Sequence, residues 1–344
     1  MMKQHRFGPG PLLNGQGNLC EPGYAAALLK TYDRKAIRAG KLRIKEWDYY
    51  LITNDRWGVA LTIDDNSYMG LLSASVLDFE TCKETTVSPM FWLPVGKTGF
   101  PASSKEGDVK KTLKNASGSF VHTPEGRRLT FRIDRFKDGK PFSCDILLTD
   151  EPKDSMVIAT PFEKKGHFYY NQKIVGMRAE GWFQIGDVRT VLDPKNTFGL
   201  LDWGRGVWTY KNTWYWSAAQ GEIDGRVIGF NLGYGFGDTS AASENMLFVD
   251  GTAHKLGRVD FGIPKKQDGT DDLMRPWHFT DDEGRVDLIF SPILDRASKT
   301  DVKIICSDQH QVFGRFSGVL KTDGGEEIRL KDFLGFAEKV FNKW

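Results

Sequence analysis

Acidic side chains set among tryptophans are the chemically suggestive feature of this sequence. The run Leu200 to Gly237, LLDWGRGVWTYKNTWYWSAAQGEIDGRVIGFNLGYGFG, opens with Asp202-Trp203-Gly204-Arg205-Gly206. Arg205 can fix a carboxylate or carbonyl, and Asp202 can act as a general acid if burial raises its pKa. The competing reading is a mutual ion pair that locks a glycine-flanked corner. Glu46 and Asp48 face the same way along a strand, roughly 7 Å apart by its rise per residue. In a dry interior such a pair shares a proton and can protonate an alkene or carbonyl; neutralisation by Arg or Lys is the alternative. Glu244 follows a loop rich in Gly, Ser and Ala and is a further candidate acid. Its neighbour Asn245 faces the other way and is expected to satisfy backbone groups.

Around these acids stands an aromatic set. Trp208, Tyr210, Trp214 and Trp216 all fall on even positions, which puts them on one face of an extended segment. Asp224-Gly225 is the dipeptide of a tight hairpin, and the return limb Arg226 to Gly233 places Asn231 with the small residues on one face. Each indole N–H needs a partner when buried, and so many large aromatics in one hairpin exceed what a small core needs. Trp203, Arg205, Trp208, Tyr210, Trp214, Trp216 and Asn231 are therefore the candidate ligand-binding set, with pure core packing as the competing role.

The elements that must carry these residues read as strands. From Lys41 the pattern has a period of two, followed by strands over Trp57 to Ile63, Ser67 to Glu80, Ser119 to Thr123, Arg127 to Phe136 and Ser143 to Thr149. Lys83 to Lys114 reads as looped excursions. Tyr24 to Ala39 is the best helix candidate, ending at Gly40. A repeat links the halves: Glu125-Gly126-Arg127 matches Glu283-Gly284-Arg285, and the same step of 24 residues leads from Gly126 to Asp150 and from Gly284 to Asp308. These readings predict an all-β chain: a 1–40 segment with a short helix, then antiparallel β-barrels over 41–193 and 194–344. The boundary is expected at Val191 to Thr197, where Asp193-Pro194 breaks regular structure.

The totals narrow the function. A chain of 344 residues can bury two cores without staples, and a net charge of +2 with no concentrated basic run argues against nucleic acid. The four cysteines form no Cys-x-x-Cys pair, the six histidines show no paired ligand spacing, and no metal site is expected. GYGFG at 233–237 lacks the strand-to-helix context of a phosphate loop, so no nucleotide or other cofactor is expected. Ser243 and Ser317 lack the elbow of a serine hydrolase. With no apolar run of membrane-spanning length and no secretory leader, the expected location is the cytoplasm. Oligomeric state is not encoded in any of these features.

Residues 45–50 (KEWDYY), LDWGRGVW, WYWSAAQGEIDGRVIGFNLG, Ser243-Glu244-Asn245, QVFGRFSG and the closing GFAEKVFNKW together resemble the family catalogued as domain of unknown function 2804, which carries no established activity. Met177-Arg178-Ala179-Glu180-Gly181-Trp182, Phe198 to Gly204 and the Trp214-x-Trp216 hairpin also resemble the junction of lipocalin-like tandem-barrel proteins, among them AttH-type proteins and carotenoid hydratases. That resemblance implies two packed barrels with a ligand cleft near the junction. Those relatives carry a histidine after the aspartate matched by Asp202, whereas this chain has Trp203, which tells against a hydratase mechanism. The leading expectation is a binder of an apolar, lipid-like or isoprenoid-like small molecule. The alternative is an acid-catalysed hydratase, isomerase or cyclase using Asp202, Glu46, Asp48 or Glu244, and a third is a structural or partner-binding protein.

Overall fold

The computed structural model describes residues 4–301 and 306–343. Nine strands carry the argument: β1 (Ile44–Thr53), β2 (Lys140–Thr149), β3 (Phe168–Ile185), β4 (Phe198–Val207), β5 (Lys211–Ile223), β6 (Arg226–Tyr234), β7 (Val286–Asp301), β8 (Cys306–Lys321) and β9 (Glu327–Lys343). They belong to two antiparallel sheets, of 14 and nine strands. At the centre of the first the order is β1-β4-β3-β2, and at the centre of the second it is β5-β9-β8-β7. In each, the first strand pairs with a strand from the far end of its segment.

Strand alternation explains the layering, because successive side chains point to opposite faces. In β1, Ile44, Tyr50 and Ile52 face a core inside the first sheet, while Tyr49 and Leu51 face outward. The outward residues are still buried, because the outer face of the first sheet packs on the outer face of the second. Phe230, Trp277, Phe279 and Phe316 fill a third core inside the second sheet. Each sheet curls round its own core: Tyr50 of β1 meets Phe120, from a strand well across the first sheet, at 4.7 Å between ring centroids. Among the described residues the ladders of neither sheet close, so the expected barrels take the form of curled, open sheets.

The predicted hairpin is present, with Ile223 opposite Arg226 and both Asp224 (φ 51°) and Gly225 (φ 78°) left-handed, as a tight turn of this hand requires. The expected helix over Tyr24 to Ala39 is not. Gly23–Ala25 instead adds to the first sheet opposite 157–159, and only a 3-10 turn, Arg34–Ala36, is helical. The physical reason is the burial pattern: Lys30 and Tyr32 are buried while Thr31 and Asp33 are exposed, a period of two that no helix satisfies.

The sheets change over between Val207 and Lys211, downstream of Asp193-Pro194, because β4 pairs with β1 and β3 in the first sheet. The strand orders also shift the repeat by one strand, placing β2 and β3 opposite β7 and β8. Two glycines mark this equivalence. A Cβ at Gly181 of β3 (φ 117°) would lie 2.1 Å from the Asp145 carbonyl, and one at Gly318 of β8 (φ 141°) 2.1 Å from the Asp287 carbonyl. Each follows an arginine by three residues, Arg178 and Arg315. Gly181→Ala and Gly318→Ala are each expected to destabilise the protein by about 1–3 kcal/mol through backbone strain. Gly40→Ala, which meets nothing within 4 Å, should be near neutral by denaturant unfolding.

Candidate functional site

Strand β4 carries two polar clusters, one on each face. Asp202 is even and Arg205 odd, so they point oppositely and form no mutual ion pair. Arg205 turns into the first sheet, fully buried, and bonds Asp48 at 3.0 Å and the Trp47 carbonyl at 2.8 Å. Its guanidinium lies 4.1 Å over the ring of Trp203, itself fully buried. Glu46 joins the same interior, accepting from the Tyr32 hydroxyl at 2.8 Å and pairing with Arg34. Burial raises the pKa of both Glu46 and Asp48, with Arg205 and its neighbours pulling the other way. This is the neutralised outcome: Glu46, Asp48, Trp203 and Arg205 form an internal brace of the first sheet, away from the junction.

On the outer face lies the second cluster. Asp202 accepts from Asn171 Nδ2 at 2.6 Å and from Lys173 Nζ at 2.8 Å. The Lys173 ammonium then sits 3.7 Å over the Trp216 ring of the other sheet. Trp216 donates its indole N–H to Asn231 at 2.7 Å, and Asn231 donates to the Glu244 carbonyl at 2.8 Å and to its carboxylate at 3.3 Å. Glu338 of β9 completes the group, accepting from the Trp214 indole at 2.8 Å and from Gln311 at 3.1 Å. Tyr49 reaches back from the first sheet to donate to Gln311 at 3.3 Å.

Register makes the cluster twofold in plan. Asp202 lies opposite Tyr49 on β1 and Lys173 on β3; Glu338 lies opposite Trp216 on β5 and Gln311 on β8. The equivalent positions hold different partners, an ammonium for Asp202 and neutral donors for Glu338. Desolvation pushes Glu338 up to about 7 and also raises Glu244, against the pull of Lys173. Burial and the charges of Asp202, Glu244 and Glu338 hold the Tyr169 phenol neutral, so it can only donate or accept a hydrogen bond. Glu244, Glu338, Trp47 and Trp214 keep partial contact with solvent, whereas Lys173, Gln311 and Tyr169 beside them are buried. The acids therefore sit where the seam between the sheets meets solvent.

The structure thus gathers Asp202, Glu244, Trp214, Trp216 and Asn231 from the sequence set. Trp208 adjoins them, packed edge-on against Trp47, Trp214 and Phe236. Tyr210 precedes β5 and is 47% exposed, outside the aromatic cluster. Sequence reasoning missed Glu338, Lys173, Gln311, Tyr49 and Asn171. A signal existed for two of them: Glu338 interrupts the apolar run of GFAEKVF, and Lys173 shares a strand face with Tyr169 and Val175.

Two curled, open antiparallel β-sheets packed outer face to outer face define the class of fold. The fold is shared with a protein described as AttH from Nitrosomonas europaea, at TM-score 0.54 and 11% identity, over 92% of this chain and 98% of that one. The chain belongs to the family described as Domain of unknown function (DUF2804), which matches residues 3–344. Lesser likenesses are to kievitone hydratase from Nectria haematococca (TM-score 0.47, 12% identity, 92% of this chain and 96% of that one) and to CghA with Sch210972 (0.42, 10%, 96% and 97%). No curated protein matches the sequence.

Two measurements check this geometry. Asp48→Ala leaves the buried Arg205 charge unpaired and should cost about 3–5 kcal/mol of stability. Glu338 binds its proton more tightly folded than unfolded, so its contribution is full below its ordinary value of 4.5 and is lost as pH rises through about 7. The stability of the wild type minus that of Glu338→Gln, by urea unfolding at pH 4.5 to 8, should fall with rising pH.

Proposed function

We propose that the seam between the sheets binds a largely apolar small molecule and transfers a proton to it, catalysing a hydration, isomerisation or cyclisation with Glu338 as the acid. The observation that carries this reading is the placement of Glu338: it lies between the sheets, bonded to the Trp214 indole and opposite Trp216, keeps partial contact with solvent, and is pushed up to about 7 by desolvation. A catalytic acid works best with a pKa near the operating pH. In the proposed step the Glu338 O–H bond breaks and the proton adds to an alkene carbon or a carbonyl oxygen, leaving a cation on the ligand. The ring faces of Trp214 and Tyr169 and the Glu244 carboxylate stabilise that charge. Water then adds and returns a proton to Glu338, or a neighbouring C–H loses its proton to it, which restores the acid.

In this reading Asp202 changes role. Tied to Lys173 and Asn171, it sets the local field, while Glu244 supports the cation. Asn231 holds Trp216 and Glu244 in place. The four free cysteines support a reducing, cytoplasmic setting. Among the described residues no helix is long and apolar enough to cross a membrane.

The test is class-wide. The protein is incubated in D2O with a panel of styrenes, enones and isoprenoid alkenes, and carbon-bound deuterium is read by mass spectrometry. Wild type should label at least one class, and Glu338→Gln should label it about 100-fold more slowly, the lower end of what general acids contribute. Binding without any labelling supports passive carriage of the ligand and overturns the catalytic reading.

A further inference from the structure

The aromatic cleft beside the acids is filled by the protein's own side chain. Phe236 comes from Gly233-Tyr234-Gly235-Phe236-Gly237, the loop that leaves β6, and its ring is buried. Four rings surround it: Tyr169 at 4.8 Å, Trp208 at 4.9 Å, Phe162 at 5.1 Å and Trp214 at 5.2 Å. All four meet it at 66 to 89°, edge to face, the geometry in which a planar ring is best held. These rings come from both sheets and from the segments between them, so the box is built by the fold, and Phe236 is inserted from a loop.

The loop around Phe236 differs from the walls of the box. Gly235 (φ 88°) and Gly237 (φ 73°) flank the phenylalanine in the left-handed region, and residues 235, 238 and 240 are exposed. On its outer side lies a cavity of about 470 Å³, lined by Gly233, Gly237, Asp238, Thr239, Ser240 and Ser243 among others. On its inner side stand the acids. The Glu244 carboxylate packs on the Gly233 backbone, its Oε1 2.6 Å from where a Cβ would be, and Trp214, a wall of the box, donates to Glu338. The loop that carries Phe236 thus lines the cavity through Gly233 and Gly237 and meets the Glu244 carboxylate at Gly233.

We propose that Phe236 is a displaceable gate and that the ligand carries an aromatic ring which takes its place in the box. This rests on the reading of the seam as the binding site and names the substrate class: an aryl-bearing molecule whose reacting bond adjoins the ring, next to Glu338. Rotation about the two glycines lifts Phe236 toward the outer cavity. The box walls then receive the ligand ring with the same edge-to-face contacts.

Toluene is the probe, with methylcyclohexane as the control of similar size and no aromatic ring, and binding is read by ligand-observed NMR. Phe236→Ala should bind toluene at least tenfold more tightly than wild type and at least threefold more tightly than it binds methylcyclohexane. A variant with wild-type circular dichroism that binds neither, or binds both equally, overturns the proposal. The wild type supplies a second measurement that needs no substitution. The Asp238 amide bonds the Pro161 carbonyl at 2.8 Å when the gate is shut, so saturating toluene should speed its hydrogen exchange and leave the β6 amides unchanged. Exchange at Asp238 that toluene leaves unaltered overturns the gate. Toluene has no alkene to protonate, so these outcomes are independent of deuterium labelling: a box that binds beside an acid that does not label refutes the catalysis alone.

Discussion

The Lys173 ammonium ties the two sheets together chemically. It pairs with Asp202 in its own sheet and lies on the Trp216 ring of the other. A carboxylate removed from water must be paired, solvated by donors or protonated, and a face where two sheets press together offers little water. The interface uses each solution once. Asp202 is paired, Glu244 is held by an asparagine, and Glu338, bonded to an indole and an amide, is pushed up to about 7 by desolvation. The pseudo-twofold plan turns this into a controlled comparison within one molecule. Equivalent acids on equivalent strands differ in their partners: Asp202 has lysine beside it where Glu338 has glutamine.

The placement of that cluster also accounts for the burial of both sheet faces. Each sheet has an apolar interior of its own, and its outer face would be wet in a single-sheet protein. Here the outer faces are apolar at their margins, with Leu51, Val175, Leu200, Phe313 and Phe336, and polar at their centre. The packing of the two halves takes these acids largely out of water, so the desolvation that raises Glu244 and Glu338 is a product of that packing.

Much of this was legible in the sequence, and the failures are specific. Period-two patterning identified β1 and the β5–β6 hairpin, and Asp224-Gly225 fixed the turn. The candidate region was marked by its tryptophans, and Asp202, Glu244 and Asn231 converge beside them. What alternation alone cannot say is which of two buried faces a residue joins. Glu46 and Asp48 were correctly placed on one face, but that face looks into the first sheet, where Arg34 and Arg205 neutralise them. Asp202 and Arg205 were read as neighbours because they are close in sequence, although an odd spacing sends them to opposite sides of β4. Glu338 escaped notice because its partners arrive from 27 and 124 residues away, a register that no local pattern encodes. The repeat was visible but displaced by one strand, since successive antiparallel hairpins of similar length share the same spacing.

The strand order has a consequence for how the chain comes to be folded. In both sheets the opening strand must wait for a late one: β1 pairs with β4, whose residues follow it by about 150 positions, and β5 pairs with β9 at the end of the described chain. Contacts of such sequence separation carry a large loop-closure cost before they return any stability, which slows folding. On the ribosome the first sheet cannot complete its centre until β4 has emerged, and the second cannot do so until β9 has. Throughout that interval the outer edge of β1 stands unpaired, and the nascent chain depends on whatever keeps such an edge from meeting another of its kind.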